Sequence, residues 1–142
     1  MTTIPATYPV VSTVSSKQLW TGRVLGGVAV LFLLMDLTLK LMRVPEAIKG
    51  TGELGWPVST IVPLGIIQLV LLAIYLIPRT AVLGAILWTG YLGGAVATHV
   101  RVGNPLFSHI LFPIYVALLL WGALWLRDAR LRALVPVRGG RS

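Results

Sequence analysis

Apolar residues in this chain fall into four long blocks, at about residues 19–41, 57–77, 81–100 and 106–126. Each block holds about 20 residues, and at about 1.5 Å rise per residue a helix of that length crosses a hydrocarbon core of about 30 Å. The pattern predicts an all-α protein, an integral membrane four-helix bundle over residues 19–126, flanked by a polar tail (residues 1–18) and a basic tail (residues 127–142). The breaks between blocks have their own chemistry. Pro78 removes a donor between the second and third blocks, and Thr80 is placed to cap the helix that follows. The first connection, residues 43–56, is longer and holds Pro45, Gly50, Gly52 and Gly55 with Glu46 and Glu53. It has room for one helical turn near residues 45–49 and for folding back over the end of the bundle as a lid.

Composition narrows the class. With 56% hydrophobic and 11% charged residues the chain has too little polar surface for a soluble domain. The first 18 residues lack a basic stretch ahead of a short apolar run, so the first span is expected to be retained rather than cleaved as a signal peptide. There is no cysteine, which excludes disulfides, thiol relays, cysteine-ligated metal and iron–sulfur clusters.

The net charge of +8 raises nucleic acid as a partner, but its distribution argues for membrane topology. An even number of spans puts both ends on one side with eight basic residues: Lys17, Arg23, Arg79, Arg127, Arg130, Arg132, Arg138 and Arg141. The other side keeps four, Lys40, Arg43, Lys49 and Arg101. The positive-inside rule then predicts both termini in the cytoplasm, with the basic tail on anionic headgroups of the lipid bilayer and no nucleic acid bound.

Small residues recur in the first span (Gly22, Gly26, Gly27) and the third (Gly90, Gly93, Gly94, Ala97). Such spacing lets helix backbones approach closely. Contacts inside the monomer are expected from both sets, and a homo-oligomer would use the same motif. Trp20, Trp56, Trp121 and Trp125 fall where interfacial aromatics belong.

The candidate chemistry gathers at one level. With the termini inside, Asp36 and Lys40 lie in the outer third of the first span, four residues apart and on one face. The third span ends outward with Thr98, His99 and Arg101, and the fourth begins with Ser108 and His109 just beyond Asn104. Gln68 reaches mid-depth on the second span, and Tyr91 and Tyr115 point to the middle of the bundle. These positions predict an outward-facing polar pocket, with Asp36 and His99 as acid–base candidates. Lys40, Gln68, Tyr91, Thr98, Arg101, Asn104 and His109 are the ligand-binding candidates. Asp36 and Lys40 equally fit a structural ion pair, and Arg101 fits a side chain that snorkels to the headgroups. Two histidines without a spaced motif do not build a metal site, so none is expected.

Leu76-Ile77-Pro78-Arg79-Thr80, then Leu83-Gly84-Ala85 and the run from Tyr91 to Arg101, resemble the DoxX-like family of small four-span membrane proteins. The resemblance covers about residues 24–126. It implies a bacterial inner-membrane protein near the quinone pool, since the wider group takes its name from a membrane subunit associated with thiosulfate:quinone oxidoreductase and terminal oxidase activity. Family members often carry an acidic residue in mid span 2, where this chain has Gln68. A quinone-linked accessory protein would need a redox partner protein to supply electrons. Two alternatives use the same pocket: a membrane enzyme, binder or carrier for a small apolar metabolite, and an assembly subunit that docks another protein.

Overall fold

The computed structural model describes residues 14–134. The first thirteen residues of the polar tail, and residues 135–142 with Arg138 and Arg141, lie outside the described residues. Six helices follow one another: α1 (Ser16–Leu41), α2 (Pro45–Glu53), α3 (Ile61–Leu76), α4 (Ala81–Arg101), α5 (Phe112–Arg127) and α6 (Ala129–Leu134). A 3-10 turn, Val58–Thr60, leads into α3, and a π-helical turn, Leu106–Ile110, leads into α5. The four stretches Ser16–Leu41, Val58–Leu76, Ala81–Arg101 and Leu106–Arg127 are long and apolar enough to span a bilayer. The protein is therefore a multi-pass membrane bundle of four helices.

Local chemistry sets the ends. Ser15 accepts from Gln18 N while the Gln18 side chain accepts from Ser15 N, a reciprocal cap that starts α1. Helices α1, α2 and α4 all close with the amide of the second residue past the cap returning to a carbonyl five residues earlier, as in Asn104 N to His99 O at 3.1 Å. That closure requires a left-handed residue, supplied by Gly55 (φ 78°) and Gly103 (φ 72°) and, at the end of α1, by Arg43 (φ 52°). Thr80 behaves differently from expectation. Its hydroxyl turns back to donate to Ile74 O at 2.8 Å and makes no capping bond to α4, so it secures the end of α3.

The spanning helices form a ring in which α1 touches α3 and α5, and α4 touches the same two. At the end carrying the α3–α4 turn, here the hairpin end, the ring is filled. Gly84 lets α4 settle on the backbone of Tyr75, Gly22 and Gly26 admit Ala123 and Arg127, and Trp88 is wholly buried. Tyr75 reaches across the ring to donate to Leu120 O at 2.9 Å. The close contacts expected of the span 1 glycines are thus present at Gly22 and Gly26 but not at Gly27. Those expected of the third span are not: no atom stands within 4 Å of a Cβ built on Gly90, Gly93 or Gly94. The close glycine contact on α4 is made instead by Gly84, one turn before Trp88 and next to the turn that joins α3 to α4.

Candidate functional site

At the opposite, wide end, the ring is not filled. A cavity of about 450 Å³ lies between the four spanning helices under α2. Its polar wall is supplied by Asp36 and Lys40 from α1, Gln68 from α3, and Tyr91, Thr98 and His99 from α4. Its apolar wall includes Phe32, Leu33, Leu64, Phe112, Pro113 and Val116, with Phe32 and Phe112 meeting edge to face at 5.0 Å. Thr51, Leu54 and Trp56 close it from α2 and the segment after it. Helix α2 runs from Pro45 to Glu53, two turns rather than one, started by Pro45 at its first position.

The polar wall is wired. Lys40 pairs with Asp36 one turn before it, and Gln68 Nε2 donates to the same carboxylate oxygen at 2.7 Å. The carboxylate fixes the amide orientation, because turning the side chain over would set an oxygen against Oδ2. Gln68 is 3% exposed and its Oε1, now turned away, has no partner among the described residues. Just past the end of α4, Asn104 Nδ2 donates to His99 Nδ1 at 2.7 Å, so a neutral His99 carries its proton on Nε2. The His99 and His109 rings stand 5.8 Å apart, edge to face. His109 also shares a 2.8 Å hydrogen bond with Ser108, and it lines a second recess of about 410 Å³ beside α2 together with Asn104, Glu46 and Glu53. Asp36, Lys40, Thr51, Leu54 and His99 line both spaces.

Of the residues singled out from sequence, Asp36, Lys40, Gln68, Tyr91, Thr98 and His99 thus share one cavity wall, while Asn104 and His109 stand behind His99 on the neighbouring recess. Arg101 is elsewhere: its guanidinium donates to Leu54 O at 2.7 Å and ties the segment after α2 to the end of α4. Tyr115 lies outside the cavity, 43% exposed on the flank of α5. Sequence reasoning missed the aromatic pair Phe32 and Phe112, the lid residues Thr51 and Leu54, and the cavity faces of Gly90 and Gly94. Trp56, read as an interfacial anchor, lines the cavity as well. The connection 43–56 was expected to fold back as a lid, but nothing in its sequence marks which of its residues reach the cavity.

The model of the DoxX-like family matches residues 24–123, which include every cavity-lining residue named above. No curated protein and no solved structure matches.

Proposed function

The chain belongs to the DoxX-like family, and from that membership we propose that it is a quinone-linked redox accessory protein of the bacterial inner membrane, with the ring of the quinone held in the wide-end cavity. The observation that carries this proposal is the pairing of two unlike walls around one space of about 450 Å³. A flat apolar ring with two carbonyls suits aromatic walls at Phe32 and Phe112 and donors at Lys40 and His99. Asp36 and His99 are the groups able to exchange protons with the bound ring. Electrons come from a partner protein, since the chain has no cysteine to hold a cluster or relay. With both termini in the cytoplasm, as the charge bias favours, the cavity faces the outer side of the membrane.

Extraction of the purified protein followed by mass spectrometry tests the ligand. About one quinone per chain is expected, falling severalfold in Lys40→Met; quinone at no more than the level of the co-purified lipid would refute the proposal. The side of the cavity is tested separately in this cysteine-free chain. A single cysteine at Glu53 should react with an impermeant thiol reagent added outside intact cells, and one at Lys17 should not.

A further inference from the structure

Four of the glycines in the membrane bundle are filled positions: a Cβ at Gly22, Gly26, Gly65 or Gly84 would meet a neighbour at 2.5–3.2 Å. Gly90 and Gly94 are different. Both line the cavity, both are exposed, and among the described residues neither has a neighbouring atom within 4 Å of its would-be Cβ. At about 3.6 residues per turn both fall on the side of α4 away from the buried Ala85, Trp88 and Leu92. The cavity therefore reaches the surface of the bundle along α4, where the missing side chains leave a notch. Gly90 and Gly94 stand nine and five residues before His99 on α4 (Ala81–Arg101), so the notch opens about 7–13 Å from His99 along the helix at the standard rise, near mid-span. That depth is hydrocarbon, not headgroup.

We propose that the Gly90–Gly94 notch is a side port for the hydrocarbon tail of a single-chain amphiphile whose head group sits at Asp36, Gln68 and His99. This rests on the proposal above that the cavity takes a membrane-dissolved ligand, and it adds which part of that ligand goes where. The head carries a hydrogen-bond donor. The Asp36 side chain is 34% exposed and lines the same cavity, and its side-chain partners Lys40 and Gln68 both donate to Oδ2, which leaves Oδ1 to accept. An O–H on the ligand is the partner that suits this oxygen. A hydroxyl-bearing ring with a linear chain, such as a reduced quinone, meets both requirements. Lateral entry also fits the lid: Arg101 holds the segment after α2 to α4, so the way in from the bilayer needs no movement of that cap.

The test measures binding in lipid nanodiscs of three probes: a hydroquinone with a ten-carbon chain, the same ring with a methyl group, and a ten-carbon alcohol. Comparing each probe with itself between variants cancels its partition into lipid. In Gly94→Leu the tailed ring should bind at least tenfold more weakly, while the methyl ring stays within twofold of wild type. Gly93→Leu, equally open but off the cavity, should change neither. Gly94→Ala adds one carbon into open space and serves if the leucine variant does not fold. Unchanged binding of the tailed ring in both Gly94 variants overturns the port and leaves the ring site standing, and so does an equal loss for both rings. If neither ring binds wild type but the alcohol does, and is lost in Gly94→Leu, the port stands and the quinone head falls. Binding of none of the three overturns both.

Discussion

Gly84 gives the most direct quantitative check on the packing that leaves the cavity open. In Gly84→Ala the new Cβ would lie 2.5 Å from both Cα and N of Tyr75 and 2.9 Å from its Cβ. Carbon pairs rest at about 3.5–4.0 Å, so α3 and α4 must separate by about 1 Å at this level. Two of the three obstructing atoms are backbone and cannot rotate aside, and the turn Ile77–Thr80 ties the two helices only a few residues away. Overpacking of this kind costs about 1–3 kcal/mol, and the upper end applies here. Alanine's advantage over glycine within a helix returns about 1 kcal/mol. The net expectation is destabilisation by about 2 kcal/mol. Denaturant titration in mixed micelles, followed by tryptophan fluorescence, measures it, since Trp88 is fully buried one turn away. Gly93→Ala on the same helix meets nothing within 4 Å and should be neutral or slightly stabilising. If the two variants agree within about 0.5 kcal/mol, α3 and α4 are not packed backbone to backbone and the account of the filled hairpin end is wrong.

Three further expectations concern single contacts. Arg43→Gly should stabilise the protein by about 1 kcal/mol, because a non-glycine residue at φ 52° closes α1; a loss of stability in the same titration would contradict this. Arg101→Leu should speed hydrogen exchange at residues 54–56 with a global stability change under about 1 kcal/mol, since it removes the donor to Leu54 O from an exposed pair. Unchanged exchange would mean that the lid is held by other contacts. Trp121→Phe should cost about 1 kcal/mol through loss of the 2.7 Å bond from Trp121 Nε1 to Thr89, with little added by Thr89→Ala in the same chain; additive losses would show that the two side chains do not act as a pair.

The four spans were legible because the bilayer demands about 20 apolar residues per crossing, and each block met that length without help from tertiary context. Much of the polar wall was legible for a related reason: direction and depth alone bring Asp36, Lys40, Gln68 and His99 to one level of the bundle. What stayed hidden was azimuth. In uniformly apolar helices nothing in the pattern says which flank turns inward, so Tyr115 looked central and is exposed, while Phe32 and Phe112 stood out in no way and line the cavity. The glycine motif failed similarly. Spacing cannot tell a glycine that admits a neighbouring helix, as Gly22 does, from one that leaves an opening, as Gly94 does.

The ring of helices places its close packing and its open cavity at opposite ends of one bundle. Tyr75, Gly84 and Trp88 lock the hairpin end, and none of them touches the cavity. The more open wall residues, such as Phe32, Thr98 and Phe112, border empty space on one side, so exchanging one for another removes few packing contacts, whereas Leu33 and Val116 on the same wall belong to the core. Such a scaffold is unusually free to drift in what it accepts. Relatives could hold different head groups, or tails of different girth, by altering a handful of wall positions while the locked half keeps the helices in place.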